Sequence, residues 1–338
     1  MKISVFGSGA WGTAIALVLY DNGHDVTLWS KFEGEALTLR RKRENPLLGG
    51  VKIPGEIRIT SEISAAARDA HAAVVAVPSF AVRETAGAIK GRLGEGSLVI
   101  CLSKGIEKDT SALFSDILIE TFGSSARIAS VSGPTHAEEV GRRVPSACVA
   151  ASGDIAVAEQ VQDILMNDYL RVYTSTDVVG VELGAALKNV IALSVGVCVG
   201  LNYGDNTKAM LMTRGLAEMA ELCVKLGGRK ETLAGLTGIG DLIVTCLSDH
   251  SRNRRAGVLV GKGLSAEEAM VEVGAVVEGY YAAKAACELA ASVGIEMPIC
   301  TETYRVLYEN KNPLSAIKDL MTRERKSETR SGEERWVT

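Results

Sequence analysis

The pattern of apolar and polar positions along the chain changes character near residue 176. Before that point, short apolar and β-branched runs alternate with helix-length patterns such as SEISAAARDA and DTSALFSDILIETFG. Runs such as AAVVAV and LVICL are apolar throughout, which is typical of parallel strands covered on both faces. This alternation predicts a doubly wound α/β sheet. The eight predicted strands are Ile3–Phe6, Asp25–Trp29, Ile57–Thr60, Ala73–Val77, Leu98–Leu102, Arg127–Val131, Ala147–Ala151 and Leu170–Tyr173.

After residue 176 the strand patterns stop and helical periodicity continues alone. Gly227–Gly228, Gly294 and Pro298 divide this half into segments, because glycine commonly ends a helix and proline commonly begins one. With 338 residues the chain is long for one core, and two domains are expected. The sequence therefore predicts an α/β domain over 1–176, an all-α domain over 177–325 and a polar tail over 326–338.

Charge and composition exclude several classes of protein. The net charge of −4, from 37 basic and 41 acidic residues, gives no general attraction to nucleic acid or anionic lipid. The seven cysteines are scattered without a CxxC pair, which favours reduced thiols in the cytoplasm. None of the four histidines has metal-ligand spacing, so we expect no bound metal.

No segment predicts export or a membrane span. The apolar stretch after Lys2 ends at Gly7, which is too short for the apolar region of a signal peptide. The longest charge-free run of the second half, Asn189–Gly204, has 16 residues, whereas a span needs ~20 apolar ones. We therefore expect a cytoplasmic protein in which this run is a buried helix.

The segment GSGAWG matches the pattern G-x-G-x-x-G at Gly7, Gly9 and Gly12. The pattern alone is weak, and a plain glycine-rich turn is the alternative. Its context favours a nucleotide site, because the segment follows the strand KISVF and opens the helix AWGTAIALVLYDNG. Gly7 would permit the tight turn, Gly9 the approach of the pyrophosphate to the backbone, and Gly12 the close packing of helix on strand. We therefore predict a Rossmann-like domain that binds NAD or NADP through Gly7, Gly9, Ala10 and Gly12.

The second predicted strand, DVTLWSK, ends without the acid that usually holds the adenosine ribose of NAD. Trp29, Ser30 and Lys31 stand in that place. A missing carboxylate removes the repulsion of a 2′-phosphate, which Lys31 could attract. The alternative is that Lys31 is a solvated surface lysine. NADP is therefore expected to be accepted, and the preference between NAD and NADP stays open.

Lys188 is an isolated charge in an apolar segment. Apart from Glu182, it is the only residue between Asp177 and Asp205 that carries a charge at neutral pH. Burial of an unpaired ammonium group is costly, and it lowers the pKa of a lysine toward neutral pH. Such a lysine could exchange a proton with a hydroxyl group while the neighbouring carbon gains or loses hydride. The alternative is a stem that lies along apolar surface with its ammonium group in water.

Two polar clusters lie elsewhere. The segment SGPTHAEE, 132–139, turns the chain from a strand into a helix at the edge where α/β sheets bind ligands, although ordinary turns look the same. In the segment 235–255, Asp241 follows a glycine-rich turn, and Arg252, Arg254 and Arg255 place three arginines in four residues. In an acidic chain this cluster is a candidate phosphate site, with a solvated basic helix start as the alternative.

Taken in order, these motifs resemble those of bacterial NAD(P)-dependent glycerol-3-phosphate dehydrogenases. No single motif decides the resemblance, but their joint order is highly specific and runs from Lys2 to about Arg330. We find no departure at a catalytic position. The segments that carry it are Trp11-Gly12-Thr13, CLSKGIE, SGPTHAEE, GVELGAALKNVIAL, TRGLAEM, GLTGIGDLIVTC, HSRNRR, VVEGYYAAK and MPI.

The resemblance implies a reversible hydride transfer in which dihydroxyacetone phosphate and NAD(P)H give sn-glycerol 3-phosphate for glycerophospholipid synthesis. It makes Lys188 the proton donor and acceptor at the C2 oxygen, with Asp241 as its partner. It assigns Lys104, Gly133 and Thr135 to the substrate pocket and Ser251, Arg252 and Asn253 to the substrate phosphate. The cofactor would be lined by Trp11, Lys31, Lys104, Ala137, Arg252, Val276 and Glu278.

Two other functions compete with this one. A related two-domain dehydrogenase of 3-hydroxy acids or sugar-acid phosphates would share the Rossmann half and the lysine. A non-catalytic NADP-binding protein is the third hypothesis, but it gives no reason for a lone lysine in an apolar helix. The oligomeric state stays open, a homodimer included.

Overall fold

The computed structural model describes residues 1–94, 96–325 and 327–328, so most of the predicted tail, 326–338, lies outside the described residues. The predicted fold class is confirmed: an eight-stranded, mostly parallel sheet precedes a helical half. All eight predicted strands are present, with ends shifted by at most two residues. They are β1 Lys2–Phe6, β2 Asp25–Trp29, β3 Arg58–Thr60, β4 Ala72–Val75, β5 Leu98–Cys101, β6 Arg127–Ser132, β7 Ser146–Ala151 and β8 Leu170–Ser175.

The sheet has the strand order β3-β2-β1-β4-β5-β6-β7-β8. Strands β1 to β6 run parallel to one another, whereas β7 pairs antiparallel with β6, and β8 runs parallel to β7. Helices cover both faces, since β4 contributes Val74 to one apolar core and Val75 to another. The helices of this half are α1 Ala10–Asp21, α2 Glu33–Lys42, α3 Ile63–Ala67, α4 Val82–Ile89, α5 Phe114–Phe122, α6 Ala137–Val140 and α7 Ile155–Leu165.

The second half packs around one long helix, α8, which spans Val178–Gly200 and is buried at nearly every position. It includes most of the run predicted as a buried helix. By length and composition α8 could cross a membrane, but 94% of its most apolar window is buried inside the protein. The helices around it are α9 Asp205–Lys225, α10 Lys230–Leu233, α11 Asp241–Leu247, α12 Arg252–Gly261, α13 Ala266–Val273, α14 Glu278–Ser292, α15 Pro298–Tyr308 and α16 Pro313–Met321.

Helices α8 and α12 touch through their backbones. A Cβ atom added at Gly257 of α12 would lie 2.1 Å from the carbonyl oxygen of Leu193. One added at Gly196 of α8 would lie 2.2 Å from the carbonyl oxygen of Arg254. Only glycine permits so close an approach. The contact therefore fixes the start of α12, at Arg252, relative to Lys188 on α8.

Glu182 of α8 joins the helical half to the sheet. Its buried carboxylate accepts hydrogen bonds from the backbone N–H of Ser115 at 3.0 Å and from the hydroxyl groups of Ser115 and Ser130. Burial raises the pKa of Glu182 to about 7, although these hydrogen bonds oppose the shift. The carboxyl group therefore holds its proton at a pH where an exposed glutamate has lost it.

This raised pKa predicts how stability depends on pH. The free energy of unfolding should fall as pH rises from about 4.5 to about 7, because the folded chain keeps a proton there that the unfolded chain releases. As pH rises from about 5 to about 8, the free energy of unfolding should fall less in Glu182→Gln than in the wild type. The difference between the two decreases should be roughly 1–3 kcal/mol. Urea titrations at each pH measure this difference. The exposed Glu309→Gln is the control, and equal pH dependence in all three proteins would contradict the assignment.

Candidate active site

The predicted site residues of the sheet half lie along one edge. Parallel strands end at the same edge of a sheet, and ligands bind α/β sheets there. The loop after β1 carries the glycines, the loop after β5 carries Lys104, and the segment after β6 carries Gly133 and Thr135. Helix α6 begins there at Ala137.

The glycine loop has the geometry of a nucleotide cradle. Gly7 has φ +121°, and a Cβ atom added there would lie 2.5 Å from the carbonyl oxygen of Ala76. A Cβ atom at Gly12 would lie 1.9 Å from the carbonyl oxygen of Gly7. A Cβ atom at Gly9 would meet nothing within 4 Å. Gly7 and Gly12 are therefore required by the fold itself, whereas Gly9 borders open space at the start of α1.

Buried polar atoms along this edge of the sheet fit a bound dinucleotide. The indole Nε1 of Trp11, at the start of α1, is buried without a hydrogen-bond partner in the described ranges. So is Oε2 of Glu278, at the start of α14, while its Oε1 accepts from the backbone N–H of Ser79 at 3.2 Å. Burial raises the pKa of Glu278. Buried polar atoms normally have partners, and a polar ligand would supply these. Ala10 directly precedes Trp11 in the chain, and Val276 lies two positions before Glu278.

Lys188 lies at the centre of a buried charged cluster. Its side chain is 6% exposed, and its Nζ donates to Asp241 Oδ1 at 2.6 Å and to Thr245 Oγ1 at 2.8 Å. The Nζ of Lys104 donates to the other oxygen of Asp241, at 2.8 Å, and to the carbonyl oxygen of Gly133, at 3.0 Å. One carboxylate thus holds an ammonium group from each half of the chain. The alternative that Lys188 extends into water does not apply.

Burial and charge set the protonation of this cluster. Burial is the largest influence on Lys188 and lowers its pKa; Asp241 opposes this shift and Lys104 adds to it. Burial alone would raise the pKa of Asp241, but Lys104 and Lys188 hold it below its usual value. The carboxylate therefore stays ionised, and Lys188 is the group of the pair that can release a proton near neutral pH.

Local sequence explains how the carboxylate reaches Lys188. The glycine-containing segment Leu236–Gly240 forms a π-helical turn that runs directly into α11 and brings Asp241 to the first position of that helix. Thr245 follows one turn later, on the same face. Both therefore point at the same section of α8.

The predicted phosphate-binding residues differ in their contacts. Arg252 begins α12, is exposed, and makes no hydrogen bond or ion pair within the described part of the chain. The Ser251 hydroxyl caps α12 by accepting from the backbone N–H of Arg254, at 3.2 Å. The Asn253 amide donates to Asn189 and accepts from the backbone N–H of Gly279, both at 2.8 Å. Arg252 is thus free for a ligand, whereas Asn253 ties α12 to α8 and α14.

The remaining predicted residues are engaged in the protein. The Thr135 hydroxyl donates to the carbonyl oxygen of Gly133, at 3.1 Å. A Cβ atom added at Gly133 would lie 2.7 Å from Cys148 Cα, so the fold requires glycine there. Lys31 forms an exposed ion pair with Glu84 at 2.7 Å. No group of His, Cys, Asp and Glu side chains that could hold a metal ion occurs among the residues described.

Sequence reasoning missed three residues of this site. Thr245 could have been found, because it lies four positions after Asp241 on one helix. Asn189, the neighbour of Lys188, shows its role only through its contact with Asn253. Glu35 is the third: α2 brings its carboxylate against the glycine loop, where it accepts from the hydroxyl of Ser8 at 2.9 Å.

Known sequences match this chain along nearly its whole length. The profile described as NAD-dependent glycerol-3-phosphate dehydrogenase N-terminus matches residues 2–158, and the one described as the C-terminus matches residues 177–318. A relative from Agathobacter rectalis, named glycerol-3-phosphate dehydrogenase (NAD(P)+), is 49% identical over 97% of each chain. One from Fusobacterium nucleatum with the same name is 46% identical over 98% of this chain and 99% of its own.

Solved structures agree with these matches. The glycerol-3-phosphate dehydrogenase of Coxiella burnetii superposes with a TM-score of 0.92 at 34% identity, over 95% of this chain and 99% of its own. A D-mandelate dehydrogenase superposes with a TM-score of 0.64 at 16% identity, over 96% of this chain and all of its own (100%). The second likeness is one of fold alone.

Proposed function

The chain belongs to the NAD-dependent glycerol-3-phosphate dehydrogenase family, and we propose that Lys188 is the group that moves the proton in its reaction. The activity is that of an NAD(P)-dependent oxidoreductase that interconverts dihydroxyacetone phosphate and sn-glycerol 3-phosphate. One observation carries the assignment of Lys188. Its buried ammonium group is held 2.6 Å from an equally buried carboxylate, at the sheet edge where dinucleotides bind.

When bound, the cofactor supplies hydride to C2 of the ketone or receives it from the alcohol. Lys188 gives a proton to the C2 oxygen during reduction and takes it back during oxidation. Its lowered pKa suits both directions. Asp241 holds the ammonium groups of Lys188 and Lys104 in place, so that both positive charges face the oxygen on which negative charge develops.

The other predicted residues take the roles that the resemblance implies. Arg252 holds the substrate phosphate, with Ser251 and Asn253 shaping its pocket, and Lys104, Gly133 and Thr135 line the substrate. The described contacts support Arg252 as the direct ligand and Asn253 as the residue that positions it. The residues proposed to line the cofactor are Gly7, Gly9, Ala10, Trp11, Gly12, Lys31, Lys104, Ala137, Arg252, Val276 and Glu278.

Several wider statements are part of the same proposal. The division into 1–176 and 177–325 is supported by the last strand ending at Ser175 and α8 beginning at Val178. A cytoplasmic location is supported by seven free cysteines, six of them buried. A role in supplying glycerol 3-phosphate for phospholipid synthesis rests on the resemblance, and assembly as a homodimer is proposed alongside it.

One assay tests the proposed function. Purified protein with NADH or NADPH should consume the reduced cofactor, measured by absorbance, when dihydroxyacetone phosphate is added. The relatives do not favour the alternative, a dehydrogenase of 3-hydroxy acids or sugar-acid phosphates. Turnover of 3-hydroxy acids or sugar-acid phosphates without turnover of dihydroxyacetone phosphate would contradict the proposal.

Arg252→Ala should raise KM for dihydroxyacetone phosphate by roughly 10- to 100-fold, because it removes a hydrogen bond to a charged group worth ~1.5–3 kcal/mol. Reduction of unphosphorylated dihydroxyacetone, measured by initial rates, should change much less.

Arg254→Ala is the matched control for this variant. It removes the same charge two positions away, where the guanidinium is already paired with Asp249 at 2.6 Å. Its KM should stay near that of the wild type. Equal losses on the phosphorylated and unphosphorylated ketones in Arg252→Ala would mean that Arg252 serves the cofactor or the fold instead.

A further inference from the structure

A carboxylate reaches the end of β2 from a neighbouring helix. Glu35, in the first turn of α2, accepts a hydrogen bond from the hydroxyl of Ser8 at 2.9 Å and another from the hydroxyl of Ser30. Ser8 lies between Gly7 and Gly9, and Ser30 directly follows β2. Glu35 is therefore anchored to the glycine loop and to the strand end at the same time.

We propose that Glu35 reads the adenosine ribose and makes this chain prefer NADH to NADPH. In Rossmann folds the acid that binds the ribose 2′-hydroxyl follows the second strand directly, near the first glycines. Ser30 occupies that sequence position here, and its hydroxyl is bonded to Glu35. Glu35 thus places a carboxylate at the end of β2, where the sequence of the strand itself has none. This inference rests on the proposed function, because it concerns the same cofactor site.

The charges around this point favour an unphosphorylated ribose. A 2′-phosphate placed beside the Glu35 carboxylate would be repelled, whereas a hydroxyl group could donate to it. The nearest predicted attraction for a phosphate, Lys31, is occupied by Glu84, with contacts of 2.7 and 2.8 Å to its two oxygens. Arg40, a basic residue of α2, is likewise already paired with a carboxylate, that of Glu33.

A purely structural explanation is that Glu35 only holds Ser8 and Ser30 in place and does not contact the cofactor. In that case its replacement would change stability and weaken both cofactors alike. A specificity role moves the two affinities in opposite directions. The ratio of the two dissociation constants therefore separates the explanations.

The experiment measures Kd for NADH and for NADPH by fluorescence titration, without substrate, on the full chain and on two variants. The wild type should bind NADH about tenfold or more tightly than NADPH, the change expected of one charge-assisted hydrogen bond. Glu35→Gln should weaken NADH and strengthen NADPH, bringing the ratio within about threefold of unity. Glu33→Gln, which removes the same charge on the same helix but from the Arg40 pair, should keep the wild-type ratio.

Three results would overturn the proposal: a wild type that prefers NADPH, an unchanged ratio in folded Glu35→Gln, or a ratio that moves equally in Glu33→Gln. Binding of NADH with the expected ratio but no turnover of dihydroxyacetone phosphate would refute the proposed function and leave this inference standing. Binding of neither cofactor would refute both.

Discussion

Lys188→Met is expected to lower kcat by ~10²–10⁴-fold in both directions, because positioned proton transfer contributes about that much to a rate. Methionine retains an unbranched apolar side chain along α8 and has no proton to give. Cofactor affinity should stay near the wild-type value, since the described contacts of Lys188 are to Asp241 and Thr245 and not to the glycine loop. Steady-state rates and NADH titration measure the two quantities separately.

The variant should fold, because the cluster keeps one charge of each sign. Removing Lys188 leaves Asp241 paired with Lys104 at 2.8 Å. Asp241→Asn is a poorer choice, since it would leave two ammonium groups near each other with no carboxylate between them. Circular dichroism checks the fold of Lys188→Met. A kcat within about threefold of the wild type would refute the proton-transfer role, since far larger losses are expected.

The pH profile gives a second test of the same residue. Oxidation of glycerol 3-phosphate needs the neutral amine, so its rate should rise with pH through the pKa of Lys188. Reduction of dihydroxyacetone phosphate needs the ammonium form, so its rate should fall over the same range. Since burial lowers the pKa of Lys188, both midpoints should lie below the ordinary lysine value of ~10.4. In Lys188→Met this ionisation should disappear from the residual activity.

Much of the fold could be predicted because buried segments are recognisable in the sequence by their apolar residues. The continuous apolar runs at Val74 and Ile100 are strands covered on both faces, and the alternation of elements gives the doubly wound sheet. The direction of a strand cannot be recognised in this way. Nothing in the sequence SACVAA indicates that β7 runs antiparallel to β6, since an apolar pattern is the same in either direction. Strand ends shifted for a related reason: Val77, predicted in β4, is buried beyond the end of the ladder.

Parts of the candidate site could be found in the same way. A single lysine in an apolar helix and a glycine loop after the first strand are both conspicuous in sequence. The partners of these residues are not, because they come from distant segments. Lys104 and Lys188 share Asp241 across 137 and 53 positions, and the carboxylate at the end of β2 comes from Glu35 on the following helix. A local pattern cannot record contacts that only the folded chain creates.

Gly9→Val should reduce NADH and NADPH affinity by ~100-fold or more, a loss of about 2.7 kcal/mol, while the chain stays folded. Gly9 has φ −65°, which valine can adopt, and a Cβ atom there meets nothing within 4 Å. The protein therefore has room for the side chain, and the pyrophosphate proposed to occupy that space does not. Fluorescence titration measures the affinity, and urea unfolding should show a change of no more than about 1 kcal/mol.

Two further variants show whether the position or the substitution matters. Gly153→Val, at an exposed glycine that also has nothing within 4 Å of its Cβ position, should change neither cofactor affinity nor stability. Gly12→Ala should destabilise the fold, because its Cβ atom would lie 1.9 Å from the carbonyl oxygen of Gly7. Loss of binding in Gly12→Ala alone could thus reflect a damaged loop. Loss of binding in a folded Gly9→Val places the pyrophosphate at the loop, whereas unchanged affinity would mean that GSGAWG is only a turn.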